Sequence, residues 1–267
     1  MQNFNYHTHT YRCKHSQSNF TDEEYVQEHI NLGFKTMAFT DHCPEKEVID
    51  VRPRMRMDYS QKEEYLASIN DLKERYKDLI KIKSGFEVEY LPGQEENLFE
   101  LKNDADIIIL GQHFIYDENQ KELLIFRHHY FTDEELIKYA DYIDKACELG
   151  IPDIIAHPDL FMIKRAFGEI EEKVSRKILE TAQKYNIPIE INFGQYISYK
   201  LGIVKKIDYP CKEFWKLATE YNVKVLYGLD AHWKAEFRDF EESRKLIKEA
   251  IGEEILSKLH FVDENFE

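Results

Sequence analysis

Short, continuously apolar runs set between amphipathic helices are the feature that most constrains this chain. Residues 107–110 read IIIL and residues 154–155 read II. They lack the alternation of a strand with one wet face, so both of their faces must be covered. Seven β-type segments of this general kind are expected, at residues 4–9, 37–42, 80–90, 107–114, 153–157, 188–192 and 224–230. Between them, Thr21 with Glu24, Ser60 with Glu63 and Thr132 with Glu135 have the spacing of reciprocal helix caps. Gly33 and Gly150 fall where helices should stop. Tyr65, Ile69, Leu72 and Tyr76 form the single apolar stripe of a surface helix. This alternation predicts an α/β fold, and parallel strands each followed by a covering helix close most economically into a seven-stranded βα barrel. No linker or low-complexity tract interrupts the pattern, so residues 1–267 are expected to form one domain.

Composition narrows what such a fold can bind. Hydrophobic residues at 43% and aromatic residues at 13% fill a core and exclude a disordered acidic chain. The 36 Lys+Arg against 51 Asp+Glu give a net charge of −15. Long nucleic acid and anionic membranes are disfavoured as partners, because phosphate affinity depends on Lys and Arg displacing counterions. No apolar run approaches the roughly 20 residues that span a bilayer. Residues 1–6 pass straight into a His-rich segment without a basic-then-apolar leader, so a cytoplasmic address is expected. Cys13, Cys43, Cys147 and Cys211 form no CxxC pair and are expected to be buried thiols.

Chemistry-bearing residues gather at the C-terminal ends of the expected strands. The first ends in His7-Thr8-His9 with His15 just beyond, the second in Thr40-Asp41-His42, and the third carries Glu87. The fourth ends at His113, the fifth at His157 and the seventh at Asp230-Ala231-His232. In a βα barrel these ends meet on one face. Residues at i and i+2 of a strand point the same way, so His7 with His9, and Asp230 with His232, can each serve a single metal ion. Neutral imidazoles with carboxylates suit zinc, manganese or iron better than magnesium or calcium. The full donor set exceeds what one ion of four to six ligands can use. His29, His128 and His260, which stand apart from these motifs, read as surface or satisfied core residues.

With these motifs in order, the sequence resembles the PHP (polymerase and histidinol phosphatase) family of metal-dependent phosphoesterases over nearly its whole length. The resemblance rests on HTHT at 7–10, FTDHCP at 39–44, Glu87, His113, His157 and LDAH at 229–232. It implies a distorted seven-stranded barrel, TIM-barrel-like, that holds three divalent ions at the C-terminal ends of its strands. It places His7, His9, Glu87 and Asp230 around one ion, with Glu87 bridging to a second held by His113 and His157. His15, His42 and His232 would hold the third. Glu87 and Asp230 would also be the catalytic carboxylates, fixing the hydroxide that bridges the ions. Residues around PRMRMDYSQKEEY, GFEVEYLPG at 85–93 and AHPDLFMIKRAFG at 156–168 are similar to the histidinol-phosphatase branch. That branch commonly carries an arginine after its sixth strand, whereas here EIN at 190–192 is followed by FGQYISYK, whose cation is Lys200.

The expected activity is therefore hydrolysis of a small phosphomonoester, first of all L-histidinol phosphate, by in-line attack on phosphorus. Arg165 is the first candidate for the phosphate, followed by Arg54, Arg56 and Arg127, with Lys200 as the stand-in for the missing arginine. His129 is a candidate for the other end of the substrate. Asp41 and Asp159 are placed to orient ligand imidazoles, although Asp159 suits a helix cap equally well. No Gly-x-Ser-x-Gly elbow is present and no CxxxxxR loop follows Cys13 or Cys43, so no side-chain nucleophile is expected. Three other readings fit less well: a PHP phosphoesterase for a nucleotide or phosphotyrosine, a non-catalytic metal-binding module, and an amidohydrolase-type barrel.

Overall fold

The computed structural model describes residues 2–46, 55–117, 123–125 and 129–267. Ten strands are formed among them: β1 (Phe4–Asn5), β2 (Thr36–His42), β3 (Lys81–Val88), β4 (Ile107–Leu110), β5 (Phe114–Tyr116), β6 (Leu123–Ile125), β7 (Ile154–Ile155), β8 (Ile189–Asn192), β9 (Lys224–Gly228) and β10 (His260–Phe261). Eight of them make one sheet in the order β1-β2-β3-β4-β7-β8-β9-β10, with every pairing parallel. β5 and β6 form a separate antiparallel hairpin.

Each of the seven expected strands overlaps a strand of this sheet, and the α/β architecture is as the apolar runs require. The strand count differs. The eighth strand, β10, is two residues long and too short to leave a periodic signal. The expected run to Phe114 also breaks after Leu110, because Phe114 opens the hairpin. The sheet curls until its ends approach. A parallel bridge pairs Thr8 with Ala231, and the His9 amide donates to the Ala231 carbonyl at 2.9 Å. The segments that follow β1 and β9 are thereby stitched together.

Helices α1 (Asp22–Asn31), α2 (Lys62–Tyr76), α3 (Glu95–Asp104), α4 (Asp133–Glu148) and α5 (Glu169–Tyr185) cover the outer face, followed by further helices to Leu256. The reciprocal caps Thr21/Glu24 and Thr132/Glu135 are both formed. Ser60 is not a cap. It lies in a 3-10 turn, Tyr59–Gln61, where the Asp58 amide donates to Gln61 Oε1 at 2.9 Å instead. Gly33 and Gly150 terminate α1 and α4 with φ of 84° and 67°, a region open to glycine without a Cβ clash. Among the described residues no helix is long and apolar enough to cross a membrane.

Alternation along each strand divides the core. Outward residues such as Phe39, Phe86, Ile108 and Ile191 join the large cluster beneath the helices, with Tyr65, Ile178 and Trp215. Inward residues Phe4, Tyr6, Ala38, Ile107, Ile109 and Leu226 form a small separate plug. The plug fills the sheet's interior near the strands' N-terminal ends, which leaves the other end for polar groups. Ile109 is fully buried in it. Replacing Ile109 with Ala is expected to cost about 2–5 kcal/mol, because a closed interior cannot collapse around the cavity. Urea denaturation measures this, and a loss below about 1 kcal/mol would show that the interior relaxes freely.

Candidate metal centre

The same inward-facing positions change chemistry as the strands rise. On β2, Ala38 is followed two and four residues later by Thr40 and His42; on β3, Gly85 is followed by Glu87. On β8 the outward Ile189 and Ile191 alternate with Glu190 and Asn192. His7, His9, His42, Glu87 and His157 are all buried, His113 and His232 are partly buried, and Asp230 is 9% exposed. Residues more than two hundred positions apart thus meet in one polar chamber. His157 and Asp230 sit there at positive φ, 28° and 52°, strained backbone of the kind found where a fold aims a side chain at a site.

The hydrogen bonds fix which ring nitrogens carry protons. Carbonyl oxygens only accept, so His15 donates from Nδ1 to the Cys13 carbonyl at 2.7 Å, and His232 from Nδ1 to the Asp230 carbonyl at 2.8 Å. In a neutral imidazole the other nitrogen is then a bare acceptor. The two Nε2 atoms nevertheless face each other at 2.8 Å. His7 repeats this arrangement. Its Nδ1 donates to the Glu190 carboxylate at 3.0 Å, while its Nε2 lies 3.0 Å from His9 Nε2 and 3.3 Å from Asp230 Oδ1. Ligand atoms about 2.1 Å from one ion are about 2.9–3.4 Å apart at octahedral or tetrahedral angles. Lone pairs converging at these separations fit a divalent cation and repel one another otherwise.

Glu87 is the shared centre. Its carboxylate lies 2.8 Å from His157 Nε2, 3.0 Å from His42 Nδ1, and 3.6 Å from both His7 Nε2 and His113 Nε2. His42 Nδ1 approaches off the hydrogen-bonding direction and has no hydrogen-bond partner. Overlapping donor groups result, among them His7 with His9 and Asp230, His7 with Glu87 and His157, His9 with His42 and His232, and His42 with Glu89 and His113.

Charge states favour the ligating forms of His42, His232, Glu87 and Asp230, but not of His7 and His157. Burial pushes His42 and His232 well below the ordinary imidazole value, and with the neighbouring imidazoles it outweighs the upward pull of Glu87 on His42 and of Asp230 on His232, so both stay neutral. Burial opposes ionisation of Glu87, but His42, His113 and His7 outweigh it and hold the carboxyl well below its usual range. Asp230 is held low in the same way, chiefly by His7. His7 and His157 are pulled upward. Burial lowers them, but Glu190, Asp230 and Glu87 raise His7 and Glu87 raises His157, so a cation entering there displaces protons.

A surrounding layer orients these donors. Glu89 accepts from His113 Nδ1 at 2.9 Å and is paired in turn with Arg56 at 3.2 Å. Asp41, expected to orient an imidazole, reaches His9 through Cys13. Asp159 does not contact a ring of the cluster through any hydrogen bond among the described residues. It accepts from the Cys211 amide at 2.6 Å and the Trp215 indole at 3.1 Å. Sequence reasoning passed over Glu89 and Glu190. Each stands alone in its motif, and the usable signal was their inward parity with Glu87 and Asn192. Glycines make room for the carboxylates: a Cβ on Gly111 would overlap Glu87, one on Gly228 would overlap Glu190, and one on Gly194 would overlap Asp230.

The described candidate substrate cations are already paired with carboxylates of the chain. Arg165 is buried, donating from Nε to Glu171 at 2.8 Å and from Nη1 to the Phe131 carbonyl at 2.8 Å, with Tyr130 stacked on it. Arg56 is bound to Glu89 and lies 3.5 Å from Glu45. Lys200 pairs with Asp239 at 2.9 Å and Glu242 at 2.8 Å. His129 Nε2 is 2.9 Å from Glu135. Arg54, Arg127 and His128 lie outside the described residues. His29 is fully buried, donating to the Tyr25 carbonyl at 2.8 Å, and is a core residue. All four cysteines are free and buried.

Because Gly111 backs directly onto Glu87, Gly111→Ala is expected to displace that carboxylate and lower the divalent metal retained after dialysis, with the fold intact by circular dichroism. Elemental analysis reads this, and retention equal to the parent would remove Glu87 from the metal-holding set.

The PHP domain model matches residues 5–193. A Deinococcus radiodurans protein named as a probable histidinol-phosphatase is 25% identical over 259 residues, covering 92% of this chain and 93% of that protein. The Bacillus subtilis histidinol-phosphatase is 30% identical over 155 residues, 55% of this chain and 57% of its own length. The solved structure of a Lactococcus lactis histidinol phosphate phosphatase, complexed with zinc, L-histidinol and phosphate, superposes with a TM-score of 0.67 at 20% identity, over 98% of this chain and 95% of that one. With the family model spanning β1 through β8 and every donor except those after β9, the chain belongs to the PHP domain family.

Proposed function

We propose that this protein is a metal-dependent phosphoesterase that hydrolyses a small phosphomonoester, with L-histidinol phosphate, cleaved to L-histidinol and phosphate, as its substrate. The observation that carries the reading is the convergence of imidazole nitrogens on Glu87 and Asp230, joined to membership of a family with histidinol-phosphatase relatives. Three ions of zinc, manganese or iron are the proposed complement. His7, His9, Glu87 and Asp230 would hold one, His113 and His157 with Glu87 a second, and His15, His42 and His232 the third. Divalent ions in such a site supply Lewis acidity toward phosphoryl oxygens and lower the pKa of a water towards about 7.

The chain's own residues do the rest. Glu87 and Asp230, kept ionised, offset the positive charge of the ions and orient what binds between them. Glu190 and Glu89 hold His7 and His113 in the Nδ1–H form, so that both present Nε2 to the chamber. The buried walls exclude bulk water, which strengthens every charge interaction with a phosphate. Arg165, Arg56 and Lys200 remain the candidate phosphate-binding cations, and each would have to share its present carboxylate partner with the substrate. A different small phosphate ester is the second reading. It is favoured by the helix Gln195–Lys200, which stands where the histidinol-phosphatase branch carries an arginine and whose cation is paired with Asp239 and Glu242.

Phosphate release from histidinol phosphate should proceed with a kcat/KM well above that for nucleotides, phosphotyrosine and p-nitrophenyl phosphate. His7→Ala and Asp230→Asn should abolish it without unfolding the chain. Equal rates across the panel would sink the histidinol phosphate assignment, and full activity after exhaustive chelation would sink the metal-dependent reading altogether.

A further inference from the structure

Cys13 ends a single 3-10 turn, Tyr11–Cys13, directly after the first histidine pair, and its side chain is fully buried. Its sulfur takes part in three hydrogen bonds at once. The thiol hydrogen points to Asp41 Oδ1 at 2.9 Å. Asp41 is already charged with two donors from Thr10, the amide at 2.5 Å and the hydroxyl at 2.6 Å, so it accepts and does not donate. The sulfur in turn accepts from the His42 amide at 3.2 Å and faces His9 Nδ1 at 3.3 Å. With the thiol hydrogen committed to Asp41, the ring nitrogen must supply the proton of the His9 contact. His9 is therefore the Nδ1–H tautomer, and its bare Nε2 is aimed at His7 and Asp230. The carbonyl of the same residue accepts from His15 Nδ1 and fixes that ring in the same form.

We propose that Cys13 is a positioning residue of the metal centre. Through sulfur it sets the tautomer and aim of His9 and ties down the His42 backbone; through its carbonyl it sets His15. One residue thus orients donors assigned to two different ions, and it links the histidine pair after β1 to the Asp-His pair that ends β2. A serine oxygen, carried on a shorter bond, would reach Asp41 and His9 less well together, and a valine would fill the space without either hydrogen bond. The inference rests on the metal-holding part of the reading above and is independent of the substrate.

The test compares the parent with Cys13→Val and Cys13→Ser by chelator competition for zinc and by the visible spectrum of the cobalt-loaded proteins. Cys13→Val should weaken retention of the affected ions about 10–100-fold, the usual effect of losing a group that orients a ligand. It should also alter the cobalt spectrum, with Cys13→Ser recovering part of both. In 15N-histidine-labelled parent protein, His9 should report the Nδ1–H tautomer, a readout that needs no variant to fold. Parent-like zinc retention and cobalt spectrum in Cys13→Val, or an Nε2–H tautomer for His9, would overturn the proposal. A parent that takes up no divalent ion would instead overturn the metal reading, and this inference with it.

Discussion

A buried carboxylate ringed by imidazoles is the interaction on which the rest of this structure depends. Glu87 is 1% exposed and has five histidine rings within 3.6 Å. An isolated carboxylate at that depth would be costly, since burial disfavours its charge. The surrounding rings reverse that cost, and two of them, His7 and His113, are themselves tied by Nδ1 hydrogen bonds to Glu190 and Glu89. The result is a layered electrostatic arrangement. Carboxylates outside fix the imidazoles, the imidazoles fix Glu87, and the inner face presents bare nitrogen and oxygen atoms. A buried polar network of this kind is stable only when each member is satisfied. Here the members left with converging lone pairs are those a cation satisfies.

The fold serves this arrangement by separating jobs along each strand. The lower inward positions build an apolar plug of Phe4, Tyr6, Ile107, Ile109 and Leu226, which holds the strands at fixed spacing. The upper inward positions carry the donors, and glycines at 111, 194 and 228 leave the space that Glu87, Asp230 and Glu190 occupy. The stitch between Thr8 and Ala231 matters for the same reason. It brings the HxH and DxH segments, from opposite ends of the sequence, into one site.

Most of the inner layer was legible because strand parity is a strong rule. HxH announces two donors on one side of the chain, and an apolar run that ends in His or Asp marks where interior chemistry changes; DxH behaves differently, because Asp230 lies beyond β9 at positive φ and joins His7 and His9 while His232 joins His9 and His42. Glu190 and Glu89 were harder to see, since a single carboxylate inside IEIN or EVEY carries no spacing signal, and its role depends on a partner more than a hundred residues away or on a neighbouring strand. Strand β10 and the β5–β6 hairpin were missed because two or three residues cannot display a period. The substrate cations are the least legible part. An arginine in a loop after a strand reads the same whether it meets a phosphate or, as with Arg165 and Arg56, a buried carboxylate.

The central claim is that the converging nitrogen and oxygen atoms form cation sites rather than a self-contained hydrogen-bonded cluster. Anomalous diffraction from crystals grown with manganese or zinc tests it most directly. Peaks bounded by His7, His9 and Asp230, by Glu87 with His157 and His113, and by His15, His42 and His232 are the predicted result. A fully ordered chamber without an anomalous peak, its facing Nε2 atoms joined by hydrogen bonds alone, would contradict the account.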